Sequence, residues 1–302
     1  MYDIIVVGGG PAGLSAALYA LRAEKTVLVL EKNNFGGQIA LSHKVENYPG
    51  LMSVSGLELT DVLLNQVTEK GGEVDFSAVT GVEDRDGVKI VHTSDGDKEA
   101  KAVILATGAT HRKLGLPREA DLTGSGVSYC AICDGAFFKG RTVAVVGGGD
   151  AAVQDAILLS DQCEKVYLVH RREEFRAEQA NVTVMRARSN IEPLLPFVPV
   201  ALEGDTQVQG LTVEDVRDGS RRTLDVDGVF IAVGFVPQNG DFAGVAALDD
   251  FGWFAAGENC LTETPGVFVA GDCRKKDIRQ LTTAVGDGSV AALAACQYID
   301  RV

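Results

Sequence analysis

The chain lacks any apolar run near the ~20 residues that a membrane-spanning helix needs, which excludes a membrane protein of that kind. It also lacks a charged leader with a cleavage site. Met1-Tyr2-Asp3 passes straight into Ile4-Ile5-Val6-Val7, and no signal peptide is expected. Positive charge is scarce: 28 Lys and Arg stand against 42 Asp and Glu, for a net charge of −14. That balance argues against a phosphate backbone or an anionic membrane as the main partner. Paired metal ligands are missing too. No second Cys-x-x-Cys and no spaced His pair accompanies Cys130 and Cys133, so a closed four-ligand zinc site lacks half its ligands.

What is present is a globular composition, 46% hydrophobic and 23% charged, in 302 residues. That length accommodates two domains of ordinary size. Glycine numbers 35 and is clustered, as tight turns at cofactors require. Cys163, Cys260, Cys273 and Cys296 have no close sequence partner and read as free thiols. A cytosolic setting fits this cysteine usage, and there a Cys-x-x-Cys is catalytic or metal-binding rather than a scaffold staple. His43, His92 and His111 read as structural or surface residues.

Residues 4–31 form a β-α-β pattern. The run Ile4–Val7 fits a buried parallel strand. Gly8-x-Gly10-x-x-Gly13 follows, then a helical stretch from Leu14, then the strand Thr26–Leu30, which ends at Glu31. Glu31 stands 23 positions after Gly8, where an acidic residue can bind an adenosine ribose. Gly8 makes the turn, Gly10 admits a pyrophosphate to the helix N-terminus, and Gly13 lets helix and strand pack closely. Ser55-Gly56-Leu57-Glu58 has the form of a capping box opening a helix that runs to Lys70. Residues 35–38 and 45–50 read as loop and turn.

The chain then repeats itself. A shift of 139 places Gly147-x-Gly149-x-x-Ala152 on Gly8-x-Gly10-x-x-Gly13, again with a strand before and a helix after. On the same shift Glu31 becomes His170, followed by Arg171, Arg172 and Arg176. A carboxylate accepts hydrogen bonds from a free ribose, whereas guanidinium groups attract a 2′-phosphate. The first module is expected to hold a cofactor with an unmodified ribose, and the second to prefer NADPH. His170 either lines the adenosine or merely ends the strand. From about 241 a strand ending in Gly271-Asp272 and a helix through Val290–Tyr298 are too short to form a domain of their own. They are expected to complete the first module.

Between the modules lies Tyr129-Cys130-Ala131-Ile132-Cys133-Asp134. Two thiols at this spacing close a disulfide or supply half of a zinc site. Asp134 is either a proton donor to a departing thiolate or a cap on the following turn.

Taken together, these motifs resemble the low-molecular-weight, bacterial-type thioredoxin reductases, over essentially the whole chain. The resemblance rests on Gly-Gly-Gly-Pro-Ala-Gly at 8–13, Gly-Gly-Gln at 36–38, Val-Glu-Asn-Tyr-Pro-Gly at 45–50, Cys-Ala-Ile-Cys-Asp at 130–134, Gly-Gly-Gly-Asp-Ala-Ala at 147–152, His-Arg-Arg-x-x-x-Arg at 170–176 and Gly-Asp at 271–272. It implies an α/β fold of two Rossmann-like domains. An NADPH domain at 113–240, carrying the cysteines, is inserted into an FAD domain at 1–112 and 241–302. It implies FAD contacts at Gly8, Gly10, Pro11, Ala12, Gly13, Glu31, Gly37, Gln38, Asn47, Gly108, Asp272, Arg279 and Gln280. NADPH contacts are implied at Gly147, Gly149, Asp150, Ala151, Ala152, His170, Arg171, Arg172 and Arg176. It further implies a homodimer and thioredoxin as the electron acceptor, with Cys133 facing the flavin and Cys130 attacking the partner. Two features depart from the family: Cys273 stands where many relatives carry an apolar residue, and the 115–126 loop differs.

Because the cysteines and the NADPH site share one module, each must reach the flavin in turn. The inserted module is therefore expected to rotate about crossings near His111–Leu116 and Gly234–Gly240. One rival reading is an NADPH–flavin oxidoreductase serving another acceptor, with incidental cysteines. The peroxide-linked flavoprotein disulfide reductases carry extra N-terminal domains, for which a start at Met1 leaves no room. A third reading is a dinucleotide sensor with zinc on the cysteine pair.

Overall fold

The computed structural model describes residues 1–42 and 45–301, and His43 lies outside them. Two compact units divide the chain: Met1–Thr110 with Val236–Val302, and His111–Phe235.

The elements run in order as β1 (Tyr2–Val7), α1 (Pro11–Arg22), β2 (Val27–Glu31), α2 (Gly56–Thr68), β3 (Glu73–Phe76), β4 (Val79–Arg85), β5 (Val88–Thr93) and β6 (Lys98–Leu105). At the first crossing comes β7 (Ala109–His111). The inserted unit follows with β8 (Val127–Ser128), α3 (Ala131–Asp134), β9 (Thr142–Val146), α4 (Asp150–Ser160), β10 (Lys165–Val169), α5 (Gln179–Arg186), β11 (Ile191–Leu194), β12 (Phe197–Glu203), β13 (Gly210–Asp215), β14 (Arg221–Asp225) and β15 (Gly228–Ile231). The chain returns through β16 (Phe235–Pro237) and ends with β17 (Val267–Val269) and α6 (Leu281–Ile299).

In the first unit β3, β2, β1 and β6 lie side by side and parallel, with Ile4 opposite Val27 on one flank and Ala102 on the other. Ile4 and Val6 are buried under α1 and α6, and Ile5 and Val7 are buried on the other face against Phe242, Val245 and Phe254. Full burial of each such side chain contributes roughly 1.5–3 kcal/mol. The tail does not stand alone: β17 pairs in parallel with β6, Val267 opposite Val103. Small residues then bring α6 against α1. A Cβ on Gly288 would lie 2.1 Å from the Ala12 carbonyl oxygen, so only glycine allows this approach. The Ser15 hydroxyl also donates to the Val285 carbonyl at 2.8 Å.

The sequence places the last helix from Val290, whereas α6 already begins at Leu281. Gly286 and Gly288 look like helix breakers in isolation, each costing about 1 kcal/mol of propensity, but Gly288 lets α6 pack closely on α1, which offsets it. Gly37–Leu41, read as loop, is a short 3-10 helix. The Ser55 capping box forms as its spacing predicts. The Glu58 N–H reaches Ser55 Oγ at 3.1 Å, and Glu58 Oε2 accepts the Ser55 N–H at 2.8 Å.

The second unit holds a parallel sheet in the order β11-β10-β9-β15-β8, with an antiparallel ribbon β12-β13-β14 beside it in sequence. Both sheets place a glycine turn between a buried strand and a helix, the α/β arrangement expected of Rossmann-like domains. β7 and β16 pair with each other, so the chain leaves and returns side by side. Residues 236–240, which the sequence assigns to the insertion, belong to the first unit. The reason is Asn239: it is buried and bonds Thr107 at 2.7 Å, Gly252 at 2.9 Å and the Cys273 carbonyl at 2.8 Å.

Candidate active site

The first glycine turn sits at the end of β1. Gly8 has φ +108°, and a Cβ there would lie 2.3 Å from the Ala106 carbonyl oxygen. A Cβ on Gly13 would sit 1.9 Å from the Gly8 oxygen, which explains the closeness of helix to turn. Gly10 caps α1 with no side chain over the helix end, and its Cβ position faces open space. Pro11 opens the helix, and no acidic residue occupies the first turn. The free N–H groups there attract an anion.

Glu31 ends β2 and locks onto this turn. Its Oε2 accepts the Gly9 N–H at 2.8 Å and its Oε1 accepts the Asn33 N–H at 2.9 Å. The carboxylate is thereby oriented, with lone pairs to spare for a ribose. Gly37, at φ +55°, brings its own Cβ position within 3.5 Å of the Gly10 Cα. Gln38 donates to the Ala109 carbonyl, just after Gly108 in its left-handed conformation. Asn47 Nδ2 reaches Gln280 Oε1 at 3.4 Å.

Gly271 and Asp272 approach the same helix end. A Cβ on Gly271 would lie 2.7 Å from Ala12 Cβ. Oδ1 of Asp272 is buried with no partner, and burial pushes this carboxyl up to about 6. An orphaned buried acceptor is rare in folded proteins and calls for a donor from outside the chain. Arg279 donates to the Asp272 carbonyl at 3.2 Å and stacks its guanidinium 3.9 Å over the Trp253 ring. These residues fit a dinucleotide whose diphosphate meets α1 and whose hydroxyls meet Glu31 and Asp272.

Sequence reasoning missed what holds the Gly271 turn. Asp287 of α6 accepts the Gly271 N–H at 3.0 Å, Arg274 at 2.8 and 2.9 Å, and Lys276 at 2.9 Å. A lone aspartate inside a helical stretch carries no sequence signal for this.

The second turn follows β9. A Cβ on Gly147 would lie 2.4 Å from the Ala232 carbonyl oxygen and 2.7 Å from Ala152 Cβ. Ala152 is fully buried, so its role is packing; Ala151 is exposed beside the open helix end at Gly149. The Asp150 carboxylate points to α5, accepting the Glu178 N–H at 2.8 Å and Asn181 at 3.1 Å. His170 lies against the turn: a Cβ on Gly148 would come 2.1 Å from its Nδ1. Its Nε2 is buried without a partner, and burial followed by the nearby arginine charges pushes its pKa down. Arg171, Arg172 and Arg176 are exposed, and the Arg176 N–H anchors their segment to the Gly148 carbonyl at 2.7 Å.

Cys130 and Cys133 are joined in a disulfide. The two thiols that a zinc reading needs are therefore bonded to each other. The Cys133 N–H lies 3.2 Å from Cys130 Sγ at the start of α3. Asp134 closes α3 and makes no side-chain cap on the turn that follows; its Oδ2 instead accepts the Ser128 hydroxyl at 2.6 Å. Tyr129 donates to Glu119 at 2.7 Å, and Glu119 gathers the N–H groups of Leu114, Gly115 and Leu116. His111 stacks on Tyr129, and burial pushes its pKa down to about 4. The remaining thiols are buried, and burial pushes Cys273 up to about 11.

Two Rossmann-like units and a Cys-x-x-Cys disulfide define a dinucleotide-dependent dithiol–disulfide oxidoreductase. The chain belongs to the pyridine nucleotide-disulphide oxidoreductase family, whose model matches residues 2–288. Among its relatives is a thioredoxin reductase of Listeria monocytogenes, 41% identical across all of this chain and 95% of its own length. Another is the thioredoxin reductase of Treponema pallidum, 41% identical across all of this chain and 98% of its own. The crystal structure of thioredoxin reductase from Streptococcus pyogenes superposes at a TM-score of 0.94 with 39% identity, covering 100% of this chain and 99% of that one. No helix among the described residues is long and apolar enough to cross a membrane.

Proposed function

We propose that this chain is an NADPH-dependent thioredoxin reductase. Electrons pass from NADPH through FAD to the Cys130–Cys133 disulfide and on to the disulfide of thioredoxin. The observation that carries this reading is the closed Cys130–Cys133 pair in the unit that also holds the arginine-flanked glycine turn. Full-length similarity to proteins named thioredoxin reductase supports it. A homodimer and a cytoplasmic location belong to the same reading, the latter because a reducing compartment suits a dithiol catalyst.

The first unit would hold FAD through the α1 turn, Glu31, Gly37, Gln38, Asn47, Gly108, Asp272, Arg279 and Gln280. The second would hold NADPH through the Gly147–Gly149 turn, His170 and the three arginines. Bound FAD supplies the two-electron chemistry that links a nicotinamide hydride to a disulfide. On accepting two electrons the Cys130–Cys133 bond breaks, and two protons complete the thiols. Cys130, as thiolate, attacks the thioredoxin disulfide and forms a mixed disulfide, and one thioredoxin sulfur departs. Cys133 then attacks Cys130, releases the second sulfur and restores the starting bond. Asp134 carries the proton to the departing sulfur. Rotation of residues 111–235 between the two half-reactions lets NADPH and the cysteines be served in turn.

The test is anaerobic NADPH oxidation with and without disulfide-form thioredoxin, comparing the native protein with C133S. Oxidation that needs thioredoxin and is lost in C133S supports the reading. Full activity in C133S hands the assignment to an NADPH–flavin oxidoreductase with another acceptor.

A further inference from the structure

We infer that Ser128 is a positioning residue for the proton step at the cysteine pair. This rests on the reading of Asp134 as the proton carrier. Ser128 is buried at the end of β8, whose register opposite Phe230 fixes it in the sheet. Its hydroxyl has one proton and two lone pairs. The proton goes to Asp134 Oδ2 at 2.6 Å, and the Cys130 carbonyl at 3.4 Å is the weaker alternative. In return the hydroxyl oxygen accepts the Cys130 N–H at 3.1 Å. One side chain thus ties the carboxylate that moves the proton to the backbone of the sulfur that attacks.

Two considerations make this more than local packing. A hydroxyl bonded to a carboxylate at this length is a charge-assisted contact, which orients the acceptor strongly. The backbone of this turn is already fixed, with Cys130 capping α3 and its carbonyl accepting the Asp134 N–H at 3.1 Å. The Ser128 bond adds what the backbone does not set, the orientation of the Asp134 carboxylate.

The step balances as follows. Cys130 gives up its thiol proton to the Asp134 carboxylate and becomes the nucleophile. The S–S bond of the partner breaks as the Cys130–partner bond forms. The departing partner thiolate takes the proton back from Asp134. No oxidant beyond the partner disulfide is needed.

The experiment is a double-mutant cycle read as kcat for thioredoxin reduction by the flavin-loaded protein. General acid–base work contributes typically 10²–10⁴-fold, so D134N is expected to lose at least about 100-fold. S128A alone is expected to lose roughly tenfold in kcat with KM for thioredoxin unchanged, because one charge-assisted bond is removed. In the D134N background the same change is expected to cost less than about twofold, since residues that act as a unit are non-additive. S128T, which keeps the hydroxyl, is expected to retain kcat. Equal losses from S128A in both backgrounds overturn the inference. Full activity in D134N removes the proton-carrier reading itself and the inference with it. If the added methyl of S128T disturbs packing, seen as flavin loss, the cycle still decides.

Discussion

The Asp287 carboxylate receives Arg274 through two bonds, Nε at 2.8 Å and Nη2 at 2.9 Å, and both side chains are almost wholly buried. Lys276 and the Gly271 N–H join the cluster, and Arg274 also donates to the exposed Glu258 at 3.0 Å. Removing Asp287 takes its carboxylate from two buried cations, Lys276 and Arg274, and breaking such a buried pair costs about 3–5 kcal/mol. D287A is therefore expected to lower the urea midpoint strongly and to release FAD on gel filtration. Wild-type stability together with wild-type flavin retention in D287A would show that the cluster is not what holds the Gly271 turn.

Asp272 gives a pH prediction. Its folded carboxyl is pushed up from 3.8 to about 6, first by burial, then by Asp287 against the opposing charges of Lys276, Arg279 and Arg274. A carboxyl raised in the folded state holds a proton that the unfolded chain has released. Stability then falls as pH rises between about 4 and 6, and the cost persists above that. In flavin-stripped protein, D272N is expected to be more stable than the native chain near neutral pH, with the gain vanishing towards about pH 4. Urea unfolding across that range checks it, and a difference constant with pH counts against it. In the loaded protein the same variant is expected to bind FAD more weakly.

The exposed arginines set a cofactor prediction. The triple change R171A/R172A/R176A removes the guanidinium groups beside the second glycine turn. KM for NADPH is expected to rise roughly 10–100-fold, with NADH use nearly unchanged, because only the 2′-phosphate distinguishes the two. Parallel rises for both cofactors would mean that the segment supports folding instead.

The crossings at β7 and β16 give a mechanical one. A chemical cross-link joining the two units is expected to abolish turnover while FAD and NADPH still bind, since both half-reactions use the same flavin. Full turnover in protein verified as cross-linked removes the rotation from the mechanism.

The sequence alone determined the two β-α-β units, because buried parallel strands read as apolar runs and the turn glycines Gly8, Gly13 and Gly147 meet steric demands. It also located the cysteine pair, leaving disulfide and zinc open until the structure showed the closed bond, and it displayed the charge difference between Glu31 and the arginine segment. Those are local patterns, written within a few tens of residues. Tertiary structure decided what depends on distant partners. Gly288 sits in a helix where α1 packs directly on it. Asn239 joins the first unit because Thr107 and Cys273 bond it. Asp287 gathers Gly271, Arg274 and Lys276 because folding closes gaps that no spacing announces. A buried polar group must find its partner wherever the chain happens to pass, and that address is set by packing, not by sequence order.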